Sequence, residues 1–453
     1  MRDRIGEAMK GHGADYVEIR IEESETTQIQ YRGRELEEIG RTTELGGNVR
    51  ALVKGGWGFV SFNDLRDLKA RVALAVRQAR LVGGERSLLA EVEPVVDIVP
   101  AEWIKDPQGV PLAEKKRLLD EYNETTWAIS PRIQTSIIRY GDTHKRRYFA
   151  TSEGSYIEQE GVDIRALFLV VAREDGTIQQ AHLSLGSSRD YGVVEGLHER
   201  IEETVRRAVR LLSARPIKGG AYTVVADPEL AGVFVHEAFG HLSESDFVYE
   251  NERLRELMVL GRRFGGEHLH IVDGAAVPGL RGSYLYDDEG VPAGKSYLIQ
   301  GGILVGRLHS RETAGKMGER PTGNARAINY RFPPIVRMTN TYIEPGEVSF
   351  EEMIGDIEEG VYARGSAGGE TTMEMFTFTA GEAYMIRHGQ IAEPLRRVSI
   401  SGNVFETLAH IEALGDDLSF HQGGGCGKGE QSPLPVSDGS PHIRIRNVVI
   451  GGE

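Results

Sequence analysis

The sequence predicts an α+β fold in two parts, an N-terminal mixed α/β domain over 1–215 and a strand-rich C-terminal domain over 216–453. Three observations predict it. Val17, Ile19 and Ile21 alternate with Glu18, Arg20 and Glu22, the period of a strand with one buried face. Helical segments interrupt such strand patterns in the first half, whereas short strands with glycine turns and few long helices make up the second. Between the halves, Arg215-Pro216-Ile217-Lys218-Gly219-Gly220 has the composition of a linker.

Taken in order, the strand at 17–22 is followed by a hairpin from Val49 to Phe62 that turns at Lys54-Gly55-Gly56. Asn63 is placed to cap a helix running to about Leu81. From Gly83 to Pro111 the proline-spotted chain reads as an extended connection, where the N-terminal part could subdivide. A helix from Leu112 to Trp127, a strand-rich region through Ser187 and a helix over 196–214 complete this part. Beyond the linker, Ala221 to Ala226 reads as a strand. Asp227 then reads as an N-cap, with Pro228 at the first helical position and Glu229 in the first turn. Phe376 to Ile386 and His442 to Ile450 read as strands. Asn403 with Glu406 resembles a capping box, which predicts a helix over 404–414.

The helix begun at Asp227 carries Val235-His236-Glu237-Ala238-Phe239-Gly240-His241. Two imidazoles beside a carboxylate are most of a catalytic zinc site, which needs about three protein ligands, an open position and a base. The histidines are five apart, and on a regular helix five steps turn through roughly 500°, leaving the rings about 140° apart. A local break at Gly240, either a bulge or a helix end, would swing His241 back toward His236.

Two imidazoles need a third partner. The single cysteine, Cys426, lies in His421-Gln422-Gly423-Gly424-Gly425-Cys426-Gly427-Lys428-Gly429, too glycine-rich for a packed helix or an ordinary strand and suited to close backbone approach. A thiolate with two imidazoles favours zinc over magnesium or calcium. Glu244, Asp246 and His421 remain alternatives for the third ligand. The acidic run Asp287-Asp288-Glu289 reads as a solvated turn before Gly290, not as a second metal site.

Composition bounds the partners. The chain has 453 residues, enough for two or three domains. A net charge of −15, from 53 basic and 68 acidic residues, argues against broad nucleic-acid binding. No stretch of about 18 apolar residues is present, and MRDRIGEAMKGHG lacks an apolar signal core, so neither a membrane span nor export is expected. One cysteine excludes an intrachain disulfide. A cytoplasmic protein is expected.

The chain resembles the TldD/PmbA metalloprotease family. The likeness rests on His-Glu-Ala-Phe-Gly-His-Leu-Ser-Glu at 236–244, similar to the family's HExxxH signature. It rests further on Pro-Thr-Gly-Asn-Ala-Arg at 321–326 with Arg-Met-Thr-Asn-Thr at 337–341, and on Gly-Cys-Gly-Lys at 425–428. It extends over nearly the whole length, including Ala14-Asp15-Tyr16 and Gly47-Asn48-Val49-Arg50-Ala51. The resemblance implies a zinc-dependent peptidase with His236, His241 and Cys426 as ligands and Glu237 as the base that takes a proton from water and returns it to the leaving amine. The metal motif, absent from the TldE (PmbA) branch, implies the catalytic branch. Also implied are dimers, either of two copies or with a TldE-like subunit, and flexible peptides held as extended strands in an enclosed cleft. The resemblance leaves the oxyanion-stabilising donor open among His421, Lys428 and the tyrosines. The influence on DNA gyrase linked to the family would then be indirect, through proteolysis. A binding subunit with a structural metal, and a metallo-amidase acting on small molecules, are the other readings of these residues.

Overall fold

The computed structural model describes residues 1–82, 87–396 and 398–451 and mixes helices with strands as an α+β fold. The first part is a seven-stranded sheet. Its strands are β1 (Tyr16–Arg32), β2 (Glu35–Val53), β3 (Gly56–Phe62), β4 (Val96–Val99), β5 (Ile133–Thr151), β6 (Tyr156–Glu174) and β7 (Thr177–Ser187). They run in the order β3-β2-β1-β5-β6-β4, with β7 also paired to β6. The β2–β3 hairpin turns at Lys54 and Gly55, both with positive φ. The helix expected after Asn63 starts later, as α2 (Leu68–Leu81), following α1 (Arg2–Met9) in chain order. Asp67, not Asn63, caps α2, because its carboxylate accepts the Ala70 N–H. Helices α3 (Leu112–Ala128) and α4 (His198–Leu211) lie near their expected positions. The connection expected from Gly83 begins at residues outside the described ones. Further on it contains β4, paired in parallel with β6.

β1 is more buried than its alternation implies. Val17, Ile19 and Ile21 pack with Ile5, Val72 and Val76 of α1 and α2. Glu18, Arg20 and Glu22 on the opposite face are buried as well, because that face lies against the second half of the chain. There Arg20 Nη1 sits 3.0 Å from Asp288, and Arg50 of β2 joins Glu18 at 2.6 Å to Glu289 at 2.8 Å. The acidic run Asp287-Asp288-Glu289 is therefore no solvated turn. All three residues are buried: Asp287 accepts backbone N–H groups, and the arginines that neutralise Asp288 and Glu289 come from strands about 140 to 270 positions away, beyond the reach of local sequence.

In the second part, β8 (Arg215–Pro216) and β9 (Gly220–Ala226) enter an eight-stranded sheet with the strands Glu359–Thr372, Met375–Arg387 and Ile443–Gly451 among others. The segment 215–216 is thus paired, parallel to Leu395–Arg396. A six-stranded sheet containing Ile271–Gly274, Asn340–Ile343 and Ser437–Ser440 lies beside it. The largest apolar cluster draws only on residues from Ile217 onward, while those of the first part end at Leu212. Asn403 accepts the Phe405 and Glu406 N–H groups, but its helix stops at Ala409. The next residues form the strand Ile411–Leu414 against Ile443–Gly451.

Candidate metal centre

Helix α5 (Pro228–Phe234) follows β9, with the Asp227 carboxylate accepting the Leu230 N–H as an N-cap. The chain then widens into a π-helix over Val235–Gly240 and tightens into a 3₁₀ turn over His241–Ser243. The His241 N–H bonds to the His236 carbonyl, an i→i+5 link. A π turn stacks residues five apart on one face, which removes the misfit of a regular helix. The rings lie with centroids 5.4 Å apart and planes at 82°.

Gly240 serves the irregularity in a different way from the expected one. Its φ of −57° is helical, so no special backbone freedom is used. An added Cβ would instead come within 2.0 Å of Met338 Sδ, so the small residue lets the 338 segment close on the helix.

Cys426 arrives on the short strand Cys426–Lys428, paired with Gln431–Leu434. Arg337 Nη2 anchors it by donating to the Cys426 carbonyl at 2.7 Å. The sulfur lies 3.5 Å from His241 Nε2, and one donor atom each from His236, His241 and Cys426 fall within 4.8 Å of one another. Among the described residues no other such group of three is found. Burial alone would push the Cys426 thiol up, but the two imidazoles bring it down to about 5. The imidazoles thus favour the thiolate, the form that binds metals. Burial would lower both imidazoles. Cys426 and Glu237 raise His236, and Glu244 with Cys426 raises His241.

Glu237 sits 3.7 Å from His241 Nε2 with about a third of its side chain exposed (34%), so water reaches it. The remaining candidates point elsewhere. Glu244 is fully buried and touches the other nitrogen of His241, Nδ1, at 2.9 Å. Against the cost of burial, Lys428 and His241 hold its carboxyl at about 2. Asp246 takes two hydrogen bonds from Lys428. His421 lines a cavity of about 570 Å³ with His182, Arg207 and Glu229, whose lining includes none of the three clustered residues, and lies 3.5 Å from Asp438. Sequence reasoning missed Met338 and the role of Glu244. For Glu244 a signal existed, a carboxylate three residues after His241. For Met338 the signal is only its place in the Arg-Met-Thr-Asn-Thr block at 337–341.

Models of the PmbA/TldA metallopeptidase domains match the chain at 17–80 (domain 1), 105–215 (central domain) and 219–452 (C-terminal domain). The chain belongs to this family, the TldD/PmbA metalloproteases. It is 51% identical over 442 residues to a metalloprotease of Synechocystis sp., covering 97% of this chain and 95% of that protein. A zinc metalloprotease TldD homolog of Saccharolobus solfataricus is 30% identical, covering 97% of each. In fold, the crystal structure of TldE from Thermococcus kodakarensis superposes with a TM-score of 0.79 at 19% identity, over 100% of both chains. The TldD/PmbA fold thus extends over the whole chain.

Proposed function

We propose that this TldD/PmbA protein is a zinc-dependent peptidase in which His236, His241 and Cys426 hold the ion and Glu237 is the general base. The observation that carries this reading is the convergence of donor atoms from two imidazoles and one cysteine sulfur within 4.8 Å, beside a carboxylate that water can reach. The donor set of imidazole and thiolate suits zinc, and three protein ligands with an open fourth position are the pattern of a catalytic site. When bound, zinc supplies Lewis acidity for a carbonyl and a lowered pKa for water.

The side chains do the rest. The Glu237 carboxylate takes the proton of the attacking water and delivers it to the amide nitrogen as the C–N bond breaks. Flexible peptides are the substrates, held as added strands through backbone hydrogen bonds that read little side-chain identity. The chain divides at 215/216, a reading supported by apolar clusters that do not mix across that point. It works in the cytoplasm as a dimer, with a second copy or a TldE-like subunit. Among the described residues no helix is long and apolar enough to cross a membrane.

The test is a Glu237→Gln protein assayed for zinc content and peptide hydrolysis together. Zinc retained with hydrolysis lost supports the reading. Hydrolysis at the wild-type rate would make the metal structural and the chain a binding subunit. A wild type that cleaves small amides but no peptide would make it an amidase.

A further inference from the structure

Glu244 and Lys428 form a buried pair whose geometry is not explained by packing alone. Both side chains are nearly inaccessible, and Lys428 Nζ lies 3.1 Å from Glu244 Oε2. That same oxygen is 2.9 Å from His241 Nδ1, while Oε1 accepts the Met338 N–H at 3.3 Å. Lys428 donates further to both oxygens of Asp246, at 2.6 and 2.8 Å, and to the Val336 carbonyl at 2.9 Å. Ion pairs this deep gain little over apolar residues of the same size, because the desolvation of both charges offsets their attraction. Their value lies in fixing geometry.

Two consequences follow from the atoms involved. Nδ1 of His241 faces the Glu244 carboxylate at 2.9 Å, which favours a proton on that nitrogen in the neutral ring and leaves Nε2, the atom 3.5 Å from Cys426 Sγ, as the nitrogen to meet a metal. Lys428 follows Cys426 by two residues on the same short strand. Its ammonium therefore ties the strand that brings the sulfur to the turn that follows His241. One clamp orients a ring and holds the sulfur's strand in register with it.

We propose that Glu244, held by Lys428, is the positioning residue of the metal centre, selecting the Nε2-donor form of His241 without itself binding the metal. This rests on the reading of His241 as a ligand. A carboxylate on the far nitrogen of a metal-bound histidine is worth about 10- to 100-fold in metal affinity. The same pair, if only structural, would change folding stability and leave metal affinity alone.

The experiment is zinc competition against a chromophoric chelator, with cobalt(II) spectra, on wild type and Glu244→Gln, each checked by thermal unfolding of the metal-free protein. The proposal expects zinc affinity to fall about 10- to 100-fold in the variant. It also expects the thiolate-to-cobalt charge-transfer band to persist and the d–d bands to keep the same coordination number. Unchanged zinc affinity in a folded Glu244→Gln overturns the positioning role while leaving the proposed ligands standing. A changed coordination number overturns it in favour of Glu244 as a ligand. If wild type binds no zinc, the functional reading fails, and this proposal with it. If the single variant does not fold, the double variant Glu244→Gln with Lys428→Met removes both charges together and carries the same expectations.

Discussion

The candidate metal centre and the acidic run Asp287-Asp288-Glu289 are both buried clusters of titratable groups, yet they are completed in different ways. In the acidic run every carboxylate oxygen has protein partners. Asp287 accepts the N–H groups of Glu289, Val291 and Ala325. Asp288 faces Arg20, Arg147 and the Ala327 N–H, and Glu289 takes Arg50 and the Arg311 N–H. At the candidate metal centre one donor atom each from His236, His241 and Cys426 lies within 4.8 Å of the others, beside a Glu237 carboxylate that water reaches. Saturated charge holds two parts of a molecule together. Soft donors that converge beside an accessible carboxylate are arranged as a metal site would be.

The sharpest way to break this contrast is to remove one donor from each cluster. Cys426→Ser is expected to lose most of its zinc and nearly all peptidase activity, measured by metal analysis beside hydrolysis of a flexible peptide. If zinc stays at wild-type occupancy, the cluster is not the site. Glu237→Gln should keep its zinc and lose about 10²- to 10⁴-fold in kcat, the usual contribution of a general base.

Asp288→Asn should behave in the reverse sense, with zinc occupancy kept and stability lost. It leaves the buried Arg20 without its carboxylate, which costs about 3–5 kcal/mol for a pair of this depth. Chemical denaturation checks it, and a loss below about 1 kcal/mol would mean that the run is not a clasp. Smaller again is Gly240→Ala, where the new methyl meets Met338 Sδ. A cost of about 1–3 kcal/mol is expected from overpacking. Pairing it with Met338→Ala should return part of that cost in a double-mutant cycle.

The smallest effect is one of pH. Burial would raise the Asp288 carboxyl, but Arg20 and Arg147 hold it at about 2, below its ordinary 3.8. A depressed carboxyl contributes stability that is complete above about 3.8 and is lost as pH falls toward about 2. Unfolding free energies between pH 4 and pH 2 should therefore fall more steeply for wild type than for Asp288→Asn. Equal slopes would place the clasp elsewhere.

Much of the local structure is written in short-range chemistry. Asp227 with Pro228 starts the helix that carries the histidines, and Lys54-Gly55 turns a hairpin. The α+β class follows from patterns of this kind, and the three residues of the donor cluster were named from residue type and motif. Other features depend on distant chain. The start of α2 at Leu68 with its cap at Asp67, the paired segment at 215–216 and the early stop at Ala409 each turn on a partner or backbone angle that pattern reading does not supply.

By itself, the sequence determined which atoms were available for chemistry: two imidazoles, a carboxylate and one sulfur, with a helix start to present them. Tertiary structure decided how they meet. The π turn appears where Met338 closes on Gly240. Glu244, three residues after His241, faces Nδ1 of that ring, and Lys428 reaches the same carboxylate from a strand 184 residues further along. The acidic run is buried because three arginines of the first sheet lie over it. The reason is physical: helix starts and turns are local equilibria of a few neighbouring residues, whereas the burial of a charge depends on partners brought near only when the chain is folded.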